Sequence, residues 1–281
     1  MQLRQSNWVN EIKNFTKTER PEVLHVHDFL MVPTVIDIAE KISVPVVADL
    51  HENMPAAVRA YRAGYSSFGK LKSAILNNYY LMRWHEKKYL SRCERIIVVV
   101  PEAAERLYKY GINPENIIVV SNTEDETTFR FKPEDAERII LENYSSRWVA
   151  SYIGGIGPHR GLDTVLNAVP YIVTAIPNFL LLIVGANDYD YAVIQDYVRK
   201  INISPYVEVI GWQPFSKVNS YVMASNVCLV PHNNFEHTNT TVPHKLFQYM
   251  ICKKPVLVSS CAPLARIIGD TKAGLIFEAN N

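Results

Sequence analysis

VLHVHDFLMVPTVIDIAEKISVPVVADLHE, residues 23–52, is the stretch whose reading decides the fold. Val23–Asp28 reads as a short strand ending in polar residues. Val35, Ile36, Ile38 and Ala39 then form an apolar helical face, and Pro45–Leu50 reads as a second strand running into His51 and Glu52. Strand, helix, strand at this spacing is a βαβ unit, which implies a parallel sheet and an α/β fold. Ligands of parallel sheets lie beyond the carboxyl ends of the strands. His27, Asp28, His51 and Glu52 fall there.

Outward from this unit the alternation continues. Met1–Thr18 is polar and helical around Trp8, Val9, Ile12 and Phe15. Arg95–Val100 is a buried strand, Ala103–Tyr110 a helix and Ile117–Val120 another strand. A charged helix over 133–143 leads into the strand Val149–Ile153, so the chain divides between Phe129 and Arg147, into domains 1–132 and 133–281. His25 and His27 share one face of their strand, a spacing open to a metal ion. Neither a matching cysteine nor a carboxylate triad accompanies them in the sequence, and no metal ligand is assigned. Trp84–Tyr89 approaches the zinc-protease pattern HExxH, but position 89 is tyrosine, so that reading fails.

Residues 51–95 carry nine Arg and Lys against three Asp and Glu. Leu71, Ile75, Tyr79, Met82 and Tyr89 follow a helical stripe there, with Lys70, Lys72, Arg83, Lys87 and Lys88 around it. The favoured reading is a core-packed helix with a solvated basic face. The sharper alternative is a patch, residues 70–88, that leans on an anionic membrane surface.

In the second half, Gly154-Gly-Ile-Gly-Pro-His-Arg-Gly161 follows a strand and opens the helix Leu162–Ile176. A glycine-rich strand-to-helix turn can cradle a phosphate, because glycines admit close backbone approach and the helix dipole favours negative charge. The spacing matches neither GxGxxG nor GxxxxGK[ST], so neither a dinucleotide cofactor nor a P-loop is supported. Arg160 tilts the loop towards a diphosphate. Downstream, HTNTTVPHKLFQYMICKKPVLV (237–258) reads as loop, helix and strand, with Thr240 or Thr241 as N-cap and Pro243 in the first turn. That helix start gathers backbone N–H groups, hydroxyls and Lys245, which suits an anion.

The bulk numbers set bounds. The chain has 281 residues, 48% hydrophobic and 20% charged, with net charge +1, long enough for about two domains. Near-neutral charge argues against a nucleic-acid partner. Cys93, Cys228, Cys252 and Cys261 are scattered and read as reduced core residues of a cytoplasmic protein. No signal-peptide pattern opens the sequence, and no apolar run approaches a membrane span.

Taken together, the chain resembles the retaining glycosyltransferases of family 4, whose GT-B architecture sets two Rossmann-like, doubly wound domains face to face across a cleft. The match runs through VLHVHD (23–28), PVVADLHE (45–52), RIIVVVPEAAERL (95–107) and IIVVSNTEDETTF (117–129). It continues in YIGGIGPHRGL (152–162), VEVIGW (207–212) and TVPHKLFQYMICKKPVLVS (241–259). The resemblance implies transfer of a sugar from a UDP- or GDP-sugar to a glycan, lipid or protein acceptor with retained configuration, with no cofactor and no metal needed for the chemistry.

It also implies residue roles. Gly155, Gly157, Arg160, Thr240, Thr241 and Lys245 would hold the donor, with Arg160 and Lys245 on the diphosphate. Gly211 and Trp212 would meet the nucleobase, Gln248 a ribose hydroxyl, and His51 the donor sugar. The partners implied are the nucleotide-sugar donor and a glycan or lipid-linked acceptor, at the inner membrane face if residues 70–88 bind there.

The departures are specific. The family's paired glutamates fall at Thr240 and Gln248, Gly155 stands where many members have arginine, and Lys253 replaces a helix-ending glycine. Measured against the family pattern the chain reads as truncated at both ends, its N-terminal domain incomplete. An alternative reading is therefore a catalytically silent nucleotide-sugar-binding or partner protein of the same fold. A third, a sugar-nucleotide epimerase, lacks an added carboxylate pair.

Overall fold

The computed structural model describes residues 5–61, 78–125 and 136–280. They fall into two compact units: Met1–Asn122 with Phe235–Val242, and Thr123–Asn234 with Pro243–Asn281. The division thus lies at residue 122 where the sequence places it after 132, and residues 126–135 are outside the described set. No sequence signal marks 235–242 as part of the first unit.

The first unit runs α1 (Ser6–Glu19), β1 (Leu24–His27), α2 (Val32–Ala39), β2 (Val46–Leu50), α3 (Met54–Tyr61), α4 (Tyr79–Leu90), β3 (Arg95–Val98), α5 (Pro101–Lys109) and β4 (Ile117–Val119). All four strands are parallel, in the order β1-β2-β3-β4. Leu24 and Val26 are buried while His25 and His27 are exposed, the two-residue alternation of a half-covered strand. Helix α2 is buried nearly all round, through Val32, Val35, Ile36, Ile38 and Ala39.

Helix α4 keeps part of the expected stripe: Met82 and Tyr89 are buried, and Tyr80 and Trp84 are exposed. Leu71, Ile75, Lys70 and Lys72 lie outside the described residues. Glu86, the glutamate of the failed metalloprotease pattern, is fully buried and takes a bidentate pair from Arg106 at 2.7 and 3.0 Å. Arg106 also donates to Asn53 Oδ1 at 3.0 Å, and Asn53 Oδ1 accepts from the Ala56 N–H. This buried network fixes the turn that carries His51. Removing one partner of such a pair costs about 3–5 kcal/mol, because a charge is left uncompensated.

The second unit runs α6 (Arg138–Tyr144), β5 (Trp148–Ile153), α7 (Leu162–Ala175), β6 (Phe179–Ala186), α8 (Asp188–Lys200), β7 (Val207–Gly211), α9 (Phe215–Met223), β8 (Val227–Val230), α10 (His244–Ile251), β9 (Val256–Ser259), α11 (Ala262–Thr271) and β10 (Gly274–Phe277). Its parallel sheet has the order β10-β9-β8-β5-β6-β7. Strand β6 is buried on both faces, so it reads as a continuous apolar run and not as an alternation. Each fully buried Leu of Leu180–Leu182 contributes roughly 1.5–3 kcal/mol. All four cysteines are buried and none is in a disulfide.

The chain leaves β5 towards β6 and β7, then returns to lay β8 on the other side of β5. The sheet therefore has its topological switch between β5 and β8, the place where sheets of this kind bind ligands, at the carboxyl ends of the strands.

Candidate functional site

Strands β5 and β8 pair only at Ala150 with Val227 and Ser151 with Cys228, then splay. The side chain that enters the gap is Tyr249 of α10. Its hydroxyl accepts from the Ile153 N–H at 3.0 Å and donates to the Ile153 carbonyl at 3.2 Å. One buried phenol thus completes the end of β5 and locks α10 against the switch point.

The glycine-rich loop leaves β5 here. Gly161, at φ 67°, closes it, and a Cβ at that position would lie 1.8 Å from the Pro231 carbonyl oxygen. Only glycine permits that approach. Asn233 clamps the loop to the end of β8: its N–H donates to the His159 carbonyl at 3.1 Å and its side-chain amide to the Pro158 carbonyl at 3.0 Å. Arg160 lies 3.2 Å from His232 Nε2, so guanidinium and imidazole share the crevice. Gly155 faces open space, while Gly157 packs on His159.

Lys245 projects from the first turn of α10 into this loop. Its Nζ lies 3.6 Å from the Tyr152 ring centre and against Gly154, where a Cβ would meet it at 3.0 Å. The Tyr152 hydroxyl is turned away, donating to the Gly155 carbonyl at 2.6 Å. Among the described residues the buried amine has no hydrogen-bond partner. Burial, and secondly the positive charge of Arg160, hold its pKa well below the ordinary amine value. A buried amine with no acceptor among the described residues, beside the Arg160 guanidinium and a glycine-rich turn, suits an anion.

The helix start differs from the sequence expectation. Helix α10 begins at His244, with extended Pro243 as N-cap and no side-chain cap. Proline disfavours helical geometry in the residue before it, which holds Val242 outside the helix. The Thr240 hydroxyl instead donates to the carbonyls of Glu236 and His237, and Thr241 donates to the His51 carbonyl at 3.3 Å. So Thr240, Thr241 and His51 form a group within the first unit. Gly155, Gly157, Arg160, Lys245 and Gln248, the other residues expected at the donor, belong to the second.

Lys245 and Gln248, three residues apart, share one face of α10 a turn apart. Gln248 Nε2 donates to Glu124 Oε2 at 2.8 Å, which restores a carboxylate beside the position where the family pattern has glutamate. Gly211 ends β7, two strands from β5 and about 10 Å across the sheet. Trp212 beside it is 76% exposed, an indole face open to stacking. His232, Asn233 and Glu124 were not foreseen. His232 and Asn233 follow a strand end and become visible once strand order is known; Glu124 carries no local signal.

In the first unit, β1 and β2 pair His27 with Asp49. Ligand atoms of His27, Asp49 and His51 lie within 4.8 Å of one another. His25 Nε2 is 3.2 Å from Asp49 Oδ2.

Comparison with known proteins follows the same division. Residues 147–281 match the family model described as Glycosyl transferases group 1, and residues 3–126 match Glycosyltransferase Family 4. Among curated proteins, D-inositol 3-phosphate glycosyltransferase of Rhodococcus erythropolis is 21% identical over 202 residues, covering 69% of this chain and 45% of the relative. The probable glycosyltransferase WbjE of Pseudomonas aeruginosa is 25% identical over 185 residues, covering 63% and 44%. The chain thus spans a little under half the length of these curated relatives. Among solved structures, sucrose-phosphate synthase from Thermosynechococcus elongatus superposes with TM-score 0.76 at 17% identity, over 98% of this chain and 65% of that one. Anabaena Alr3699/HepE in complex with UDP-glucose gives 0.74 at 12%, over 97% and 68%.

Proposed function

Since this chain belongs to the group 1, family 4 glycosyltransferases and carries their GT-B fold, we propose that it moves a sugar from a UDP- or GDP-linked donor to a glycan, lipid or protein acceptor with retained configuration. The observation that carries this reading is the buried, partnerless amine of Lys245 against Gly154, with Arg160 beside it. A diphosphate seated there accepts hydrogen bonds from both side chains and from backbone N–H groups at the starts of α7 and α10.

The chemistry follows from that placement. The bond from sugar to diphosphate breaks as negative charge develops on the departing phosphate, and preorganised donors stabilise that charge. Arg160 and Lys245 supply it, so a metal is not needed for bond cleavage. The acceptor hydroxyl attacks from the side of the leaving phosphate and passes its proton to an oxygen of that phosphate, so configuration is retained. Gln248 and Glu124 receive the ribose, Gly211 and Trp212 the base, and His51 the donor sugar.

Anabaena HepE is described in complexes with UDP and with UDP-glucose, which favours a UDP-sugar as the first donor to try. No helix among the described residues is long and apolar enough to cross a membrane. For a lipid-linked acceptor, the face of α4 where exposed Tyr80 and Trp84 stand among Arg83, Lys87 and Lys88 is the surface that meets an anionic bilayer.

A second reading is a nucleotide-sugar-binding protein without turnover. It is favoured by Thr240, which offers no carboxylate and whose hydroxyl is spent on backbone carbonyls. A thermal-shift panel of nucleotide-sugars tests binding: a true donor at about 100 times its Kd adds roughly 2.7 kcal/mol to stability. Release of free nucleotide from that donor separates the readings. Hydrolysis or transfer supports the transferase, and binding without release supports the silent protein. A flat panel contradicts both.

A further inference from the structure

We propose that His27, Asp49 and His51 form a binding site for a divalent transition-metal ion in the first unit, a site that shares His51 with the proposed sugar transfer and is argued from its own geometry. The site is written into the strand register. His25 and His27 share the exposed face of β1, Asp49 is the register partner of His27 on β2, and His51 follows Asp49 by two residues. Two adjacent parallel strands therefore place three imidazoles and a carboxylate on one face.

The distances suit an ion. His51 Nε2 is 3.4 Å from Asp49 Oδ1, and His27 Nδ1 is 3.8 Å from Asp49 Oδ2. Ligand atoms around tetrahedral zinc stand about 3.3 Å apart, so small rotamer shifts close the shell. The rings of His27 and His51 lie with centroids 4.2 Å apart, tilted by 38°. Two protonated rings at that separation repel. A single cation binds both neutral rings and the carboxylate at once.

Two neighbours support the ligands from behind. His25 Nε2 is 3.2 Å from Asp49 Oδ2 and orients the carboxylate. Asp28 Oδ1 accepts the His51 backbone N–H at 3.3 Å, with Asp28 held in the left-handed region at φ 61°. Outer partners of this kind fix ligand orientation in metal sites, and strained backbone clusters where function over-determines it. Two nitrogens and one oxygen select zinc, cobalt or nickel over magnesium and calcium, which take oxygen shells. His27 is 65% exposed at its side chain, so water completes the coordination.

The test is calorimetric titration of the metal-free chain with zinc chloride and with magnesium chloride, alongside the visible spectrum of the cobalt-loaded chain. The expected result is one zinc per chain, no magnesium, and a cobalt band of tetrahedral intensity. His27→Gln and Asp49→Asn each weaken zinc by at least ten-fold, and His25→Gln by about ten-fold. His244→Gln, on the other unit, leaves zinc affinity unchanged. His27→Gln alters a largely exposed ring, so its fold persists, and circular dichroism verifies that. Absence of zinc binding overturns the proposal, and so does zinc binding that His27→Gln and Asp49→Asn leave intact. UDP titration of the same variants reports the donor site separately.

Discussion

The amine of Lys245 sits 3.6 Å above the Tyr152 ring, buried, with no hydrogen-bond acceptor among the described residues. The aromatic face recovers part of the lost hydration of a cation, but a desolvated amine without an anion still opposes folding. Stability is given up at the point where the proposed donor would bind.

Replacing Lys245 by methionine therefore separates stability from binding. The thioether fills the same channel without a charge, so the ligand-free chain gains on the order of 1–3 kcal/mol at neutral pH. Affinity for a nucleoside diphosphate falls by about 10–100-fold, the worth of one charge-assisted hydrogen bond. Urea denaturation and calorimetry on one preparation check both signs. A destabilised variant contradicts the burial argument.

The same amine sets a pH dependence. Below its depressed folded-state pKa, Lys245 is charged in folded and unfolded chains alike, and its burial penalty is complete. Between that pKa and the ordinary 10.5, the unfolded chain holds the extra proton, so this contribution to stability rises with pH. An anionic ligand favours the charged amine, so binding above the free-state pKa takes up a proton, and affinity falls as pH rises. Binding heats in two buffers of different ionisation enthalpy measure that uptake; Lys245→Met abolishes it.

Gln248 and Glu124 test how the ribose is read. With Gln248 Nε2 given to Glu124, the amide oxygen and the second carboxylate oxygen are left to accept from two vicinal hydroxyls. Gln248→Ala and Glu124→Ala should each weaken a nucleoside diphosphate by about ten-fold, near 1–2 kcal/mol. Pyrophosphate affinity should not change. In the double variant the losses should fall short of additivity by about 0.5–1.5 kcal/mol. Equal loss of pyrophosphate would show that the pair supports the loop and does not touch ribose.

Lys253 ends α10 in the left-handed region at φ 54°, where a glycine is the favoured residue. The cost anticipated from its sequence is thus present in the backbone. Lys253→Gly should raise stability by about 1 kcal/mol, a shift of a few degrees in Tm. A lowered Tm would mean that the lysine side chain has a role of its own.

Much of this is legible in the sequence. The βαβ pattern of residues 23–52 and the glycine-rich turn at 154–161 are local signals, and local signals survive folding: both became strands and turns where expected. What stayed hidden depends on partners distant in sequence. Periodicity places His27 and Asp49 on exposed faces, but only strand register makes them neighbours. The hydroxyls of Thr240 and Thr241 look like helix caps locally, yet Pro243 moves the helix start beyond them. Glu124 meets Gln248 across 124 residues of chain, a pairing that no local pattern encodes.

The central claim is that the loop at the β5–β8 switch point holds a diphosphate. Calorimetric titration of the chain with UDP and with GDP, beside Arg160→Ala, tests it most directly. The account predicts that at least one nucleotide binds and that Arg160→Ala weakens it by ten-fold or more. Absence of binding by both nucleotides, or an Arg160→Ala variant that binds as the native chain does, would contradict it.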